Sequence, residues 1–352
     1  CIVIHELLGN SMIDFRSDTV THPSPEMREA ISKAQIGDDV FGDDPSINTL
    51  EEMAAHKLGK EKALFVASGT MGNLVSILAH SNRGDEIIVG NKSHIFKYEA
   101  GGASALGGVA YHTVENKEDG KICPEDVLNA IRDSSDNHNP KTSMIALENT
   151  QNMCGGRVID EAESKVFSDI AHENDLKFHI DGARIFNAAV KLGVDIKNLV
   201  DGADSVSFCL SKGLACPVGS LVCGDSEFIE SARKWRKMLG GGMRQAGFLA
   251  SAGIVALDSM VNRLSEDHDN AYKLAIGLSS LPHVNIDVDA VETNLVFFEI
   301  DFEYREILTN ALNENNIKGA SNKPRWRFAT HYGIESSDID ITLDVMSSVL
   351  HG

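Results

Sequence analysis

No stretch of about 18 consecutive apolar residues occurs in the chain, which argues against a helical membrane span. Cysteine is sparse, six in 352 residues, too few for a disulfide-stapled fold. Those cysteines sit in apolar runs (Cys209, Cys223) or beside turns (Cys123, Cys154), where reduced core thiols are expected. Cys209, Cys216 and Cys223 recur at even spacing, but the interval matches no zinc site, so no metal is expected. Basic residues are also short, 32 against 52 acidic, and the net charge of -20 disfavours nucleic acid and anionic membrane as partners. Internal repeats and low-complexity linkers are absent. Residues 1–8 lack the length and basic flank of a signal peptide, and Gly9-Asn10-Ser11 before Met12 reads as a cloning remnant, so residues 1–11 are set aside and a cytoplasmic location is expected.

What is present is a large apolar complement, 42% of the residues, enough for a sizeable core in one two-domain subunit. Between Lys62 and Gly224 apolar runs alternate with helical patterns: Ala63 to Ala67, Glu86 to Val89, Val109 to Val114, Ser143 to Leu147, Lys177 to Ile180, Ser205 to Leu210 and Ser220 to Cys223. That alternation predicts an α/β fold with a mostly parallel, seven-stranded sheet. Ser24-Pro25 and Asp44-Pro45 read as N-caps followed by proline at the first helical position, and Gly59 as a helix stop. After Gly240-Gly241-Gly242, residues 244–281 read as helical. Strands near Asn294 to Ile300 and Arg325 to Ala329, with helices near Tyr304 to Asn315 and Ser337 to Leu350, predict a smaller α+β C-terminal domain. The expected division is an N-terminal segment 12–45, a large domain 46–247 and a small domain 248–352.

Chemistry is signalled at strand ends. Lys212 closes the buried run Val206 to Leu210, where a lysine either snorkels to solvent or performs covalent chemistry. Asp181 ends the run Lys177 to Ile180, and Arg184 follows three residues later. Ligands of open α/β sheets collect at the carboxyl ends of the strands, so Asp181 and Lys212 are expected in one cleft. Ala67-Ser68-Gly69-Thr70 before a helix offers backbone N–H groups and the Thr70 hydroxyl to a phosphate. Gly101 to Gly108 lacks the acidic partner of a dinucleotide fold and reads as a packing turn. His94, after the strand Glu86 to Val89, reaches the same edge, where it is a structural histidine, a stacking partner for an aromatic cofactor or a proton carrier.

In chain order, Gly69-Thr70, His94, Asp181 with Arg184, and Lys212 resemble the fold-type-I pyridoxal phosphate enzymes. The segments Asp14 to Thr21, Gly37 to Pro45, Leu147 to Thr150, His179 to Arg184, Leu210 to Leu214 and Arg236 to Gln245 resemble the low-specificity L-threonine aldolases, from about Met12 onward. Phe41 stands where that family has tyrosine, and Gln151 at a position that varies. The resemblance implies pyridoxal 5'-phosphate as cofactor and retro-aldol cleavage of L-threonine and L-allo-threonine to glycine and acetaldehyde, in a homotetramer with shared active sites. It implies that Lys212 holds the cofactor, Asp181 pairs with its ring nitrogen, Gly69, Thr70 and Arg244 serve its phosphate, and Arg184 lies near the ring oxygen or the substrate. Arg327, with Ser17 beside it, would grip the substrate carboxylate. Tyr98 lies beside the site, and Lys237 is a further basic position near the phosphate. A base for the β-hydroxyl proton is required, and both His94 and His138 match family histidines. The alternatives are a β-eliminating lyase of the same fold and a cofactor-binding protein without turnover.

Overall fold

The computed structural model describes residues 12–321 and 323–351, so the expectation about residues 1–11 falls outside it. Twelve strands are formed: β1 (Ile13–Asp14), β2 (Lys62–Val66), β3 (Glu86–Gly90), β4 (Ala110–Val114), β5 (Thr142–Glu148), β6 (Lys177–Asp181), β7 (Ser205–Cys209), β8 (Ser220–Gly224), β9 (Val284–Asn285), β10 (Leu295–Ile300), β11 (Ile317–Lys318) and β12 (Arg325–Ala329). The central sheet has the order β2-β8-β7-β6-β5-β3-β4, which contains all seven runs read from the sequence. Strands β4, β3, β5, β6 and β7 are mutually parallel, and β8 runs against both β7 and β2. Every residue of β3, β5, β7 and β8 is buried, as expected where helices cover both faces of a parallel sheet. The carboxyl ends of β2, β3, β5, β6 and β7 therefore share one edge.

Local chemistry sets the helix boundaries. Ser24 accepts a hydrogen bond from Met27 N, Asp44 accepts from Ser46 N and Ile47 N, and each is followed by proline. Gly59 ends the helix Pro45–Leu58 at φ 64°, a left-handed conformation that glycine adopts without strain. Within Gly101 to Gly108, Ala103–Gly107 form a π-helix rather than a tight turn, packed so closely that a Cβ on Gly107 would clash with Leu78 Cδ2, in line with its reading as packing.

A three-stranded antiparallel sheet, β12-β10-β9, makes a second core with the helices Leu264–Ser279, Arg305–Glu314 and Ser336–Leu350. The helix Gly247–Val255 buries Ala250 and Ala252 in the cluster of the larger sheet, so the expected boundary at residue 247 precedes a helix that packs against the larger core. Ile13 and Phe15, from the start of the chain, pack in the smaller core. Phe15 stacks on Phe328 with ring centroids 4.9 Å apart and planes 5° from parallel. Phe15 N donates to Lys318 O, and Ala329 N to Phe15 O. This clamp places Ser17 and Asp18 over the carboxyl edge of the large sheet. No helix among the described residues is long and apolar enough to cross a membrane.

Candidate active site

The lysine read from the sequence lies in the loop joining β7 to β8. Leu210 N donates to Gly219 O and Cys216 N to Leu210 O, both at 3.0 Å, while Thr21 Oγ1 donates to Lys212 O at 3.2 Å. The backbone of Lys212 is thereby fixed. Its Nζ has no hydrogen-bond or ion-pair partner among the described residues.

Asp181, at the end of β6, is 2% exposed and has no cation within ion-pair distance among the described residues. Its carboxylate accepts from Asn73 Nδ2 at 2.9 Å and from Ala183 N at 3.2 Å. Asn73 Nδ2 also donates to Glu99 Oε1 at 2.7 Å, and Glu99 Oε1 lies 2.9 Å from His94 Nδ1. The hydrogen bond to Glu99, partly opposed by burial, raises the pKa of His94 above that of a free imidazole. Because Nδ1 is committed to Glu99, Nε2 is the ring nitrogen left for chemistry. Glu148, ending β5 beside Asp181, accepts from His94 N at 2.6 Å and Asn152 N at 2.8 Å. Burial first, then the charge of Asp181, pushes its carboxyl up to about 7.

The arginines divide their duties. Arg184 makes a buried bidentate pair with Asp18, Nε to Oδ2 at 2.6 Å and Nη2 to Oδ1 at 2.7 Å. Burial opposes the charge on Asp18, yet Arg184 outweighs it and holds the carboxyl well below the usual range. Arg327, on β12, has no carboxylate partner among the described residues. Its Nη2 donates to Arg16 O at 2.9 Å, which sets the guanidinium beside Ser17. Burial, then the neighbouring Arg184, lowers its pKa. Asn152 Oδ1 accepts from Arg184 Nη1 at 3.4 Å and from Arg327 Nη1 at 3.3 Å, joining the two.

Gly69 and Thr70 open the helix Gly69–His80, whose exposed first turn follows β2 at the same edge. A Cβ on Gly69 would lie 2.8 Å from Cys209 Sγ, so only glycine lets this turn approach β7. Tyr98 is 55% exposed, its ring centroid 5.6 Å from that of His94, and its hydroxyl donates to Met153 Sδ at 3.4 Å. Two expected residues stand apart within this chain. Arg244 follows the Gly240–Gly242 turn, which abuts Met71, but its half-exposed guanidinium is paired with Asp38 at 3.1 Å. His138 is in the loop before β5, at the opposite edge of the sheet, with its side chain 94% exposed and Nδ1 on Asp136 at 2.7 Å. Within this chain His138 does not reach the site, because a residue preceding a parallel strand emerges at the opposite edge of the sheet. Gln151, just after β5, occupies the carboxyl edge instead, with Nε2 donating to Lys92 O at 3.0 Å.

A lysine amine, a buried carboxylate without a cation, an arginine without an acid and an open helix N-terminus fit a ligand with an aldehyde, a ring nitrogen and a phosphate, together with an amino acid carboxylate. The β-eliminating lyase family matches residues 14–301. Low-specificity L-threonine aldolase 1 of Arabidopsis thaliana is 46% identical over 346 residues, covering 96% of each chain. The chain belongs to this family, on its threonine aldolase branch. The low specificity L-threonine aldolase of Escherichia coli K12 is 42% identical to this β-eliminating lyase family member, over 93% of this chain and 96% of its own. A threonine aldolase of Leishmania major, 18% identical, shares the fold at a TM-score of 0.81, covering 96% and 99% of the two chains.

Three residues of this family member escaped the sequence reading. Asn73 lies inside the helix that follows Gly69 and Thr70, where an asparagine amid Leu74, Val75 and Ile77 is a usable signal. Glu99 and Asn152 follow turns among other polar residues, and nothing in their spacing marks them.

Proposed function

We propose that this protein is a pyridoxal 5'-phosphate-dependent aldolase that cleaves L-threonine and L-allo-threonine to glycine and acetaldehyde. The observation that carries the reading is the gathering of Lys212, Asp181 and Arg327, none with an ion-pair partner among the described residues, over the carboxyl edge of the large sheet. The relatives that match nearly the full chain support the same activity.

Lys212 supplies the amine that anchors the cofactor, Asp181 faces its ring nitrogen, and Gly69 and Thr70 take its phosphate at the helix N-terminus. When bound, the cofactor supplies an electron sink for the charge left on the substrate Cα when the Cα–Cβ bond breaks. Arg327 would grip the substrate carboxylate bidentately beside Ser17, and so fix the orientation in which the substrate is held. Arg184 is committed to Asp18 and serves to position Arg327 through Asn152. His94 would lie beside the cofactor, with Nε2 free to take the β-hydroxyl proton directly or through water.

We also read the chain as a subunit of a cytoplasmic homotetramer with shared sites. The exposed Val40, Phe41, Met238 and Phe248 around the Gly240–Gly242 turn support association there, and the five described cysteines, all unpaired, support a reducing compartment. Arg244 and Tyr98, both exposed, would then complete a neighbouring subunit's site. The deciding assay incubates the cofactor-loaded protein with L-threonine and measures acetaldehyde and 2-oxobutyrate. Acetaldehyde with glycine is expected, and 2-oxobutyrate in its place would make the protein a β-eliminating lyase in activity.

A further inference from the structure

Asn73 uses its entire hydrogen-bonding capacity inside the site. Its amide nitrogen donates to Asp181 Oδ2 at 2.9 Å and Glu99 Oε1 at 2.7 Å, and its carbonyl oxygen accepts from Ser207 Oγ at 2.6 Å and His179 Nε2 at 3.1 Å. A carboxamide has no more to offer. Its orientation is fixed as well, because the reversed amide would set an oxygen against two carboxylates. The layer behind is equally determined. His179 is fully buried, burial pushes its imidazole down to about 4, and the neutral ring accepts at Nδ1 from Ser205 Oγ at 2.8 Å while Nε2–H points at Asn73. Ser205 Oγ in turn accepts from His80 Nε2 at 2.9 Å.

We propose that Asn73 is a positioning residue that locks two carboxylates into one frame: Asp181, which faces the cofactor ring nitrogen, and Glu99, which orients His94 over the ring. The first half rests on the functional reading above, and the second, the Glu99–His94 pair, stands without it. One amide thus couples the electronics of the ring to the placement of the histidine. A neutral donor suits this position. It satisfies both carboxylates without cancelling either charge, whereas a lysine would compete with the ring nitrogen for Asp181. The other charged groups facing His94 are Glu148, Asp181 and Lys212.

The test compares the wild type with Asn73→Ala and Glu99→Gln. Three quantities are followed: thermal unfolding of the cofactor-free protein, the pH titration of His94 by NMR, and the dissociation constant for pyridoxal phosphate together with the pH midpoint of the bound cofactor's visible absorption. Asn73→Ala is expected to lower the His94 midpoint, since a released Glu99 turns to solvent, to shift the absorption midpoint, and to weaken cofactor binding at least about tenfold. Glu99→Gln is expected to lower the His94 midpoint and leave the absorption midpoint in place. An Asn73→Ala variant that changes only one of the two midpoints overturns the coupling, and a Glu99→Gln variant with an unmoved His94 titration overturns the second half. If the alanine variant does not fold, Asn73→Asp replaces it. A third carboxylate among two should weaken cofactor binding at least as much, and wild-type affinity in that variant refutes the proposal. A wild type that binds no pyridoxal phosphate defeats the functional reading instead, while the His94 titration still decides the Glu99 half.

Discussion

The two edges of the central sheet treat charge in opposite ways. At the amino edge Glu86 is shared between Arg132 at 3.0 Å and His112 at 3.3 Å, Asp204 takes Lys177 at 2.9 Å and His172 at 3.0 Å, and Lys60 donates to three backbone carbonyls. At the carboxyl edge Arg184 pairs with Asp18 and His94 with Glu99, but Lys212, Asp181 and Arg327 have no ion-pair partner among the described residues, and Glu148 is packed beside Asp181. Paired charges near the surface contribute little and cost little. Unpaired charges in a partly dry cleft are destabilising, and a ligand that neutralises them returns that free energy as affinity. The contrast separates residues that hold the fold from residues that await a ligand.

The largest effect is expected at Lys212. Lys212→Ala should lower turnover of threonine by at least about a thousandfold, read by acetaldehyde release, and abolish covalent retention of the cofactor. Full activity in that variant would remove the basis for ranking the carboxyl edge as the reactive one. Next comes Arg327→Ala, expected to lower kcat/KM by about two to three orders of magnitude, with Arg327→Lys recovering only part because the bidentate grip is lost. The two histidines give the sharpest contrast: His94→Phe should cost about two orders of magnitude in kcat, whereas His138→Phe should leave it within about twofold. Equal losses in the two variants would show that His138 acts in a neighbouring subunit's site.

The smallest effect concerns stability. Glu148 has its pKa raised in the folded chain from an unfolded value of about 4.3, so the folded state holds the extra proton and stability falls as pH rises between the unfolded value and about 7. Glu148→Gln mimics the protonated form. In urea unfolding of the cofactor-free protein the variant should match the wild type near pH 5 and exceed it near pH 8, by on the order of 2 kcal/mol. Equal stability at both pH values would show that the burial of Glu148 is fully compensated.

The sequence announces the central strands because strands covered on both faces must be apolar along their length, and it announces Lys212 and Asp181 because a charge at the end of such a run is out of place. Capping at Ser24, Asp44 and Gly59 is legible since each acts on its own neighbours. What stays hidden depends on partners distant in sequence. Asn73 matters through Asp181 and Glu99, and Asn152 matters through Arg184 and Arg327, contacts that no local pattern encodes. His138, matched by resemblance to a family histidine, lies at the opposite edge of the sheet in this chain, so only another subunit could bring it to a site. Arg244 is a middle case, since its expected phosphate role requires leaving Asp38 or reaching another subunit.

The pairing of β1 with β11 has a bearing on how the protein is made. Ile13 lies opposite Ile317, so this strand, once it has left the ribosome, waits for roughly 300 further residues, on the order of half a minute at common elongation rates, before its partner exists. During that wait Phe15 has no Phe328 to stack on and Asp18 no Asn294 to steady it. The carboxyl edge is therefore finished last. A nascent chain will have its large sheet and Lys212 well before it has Arg327.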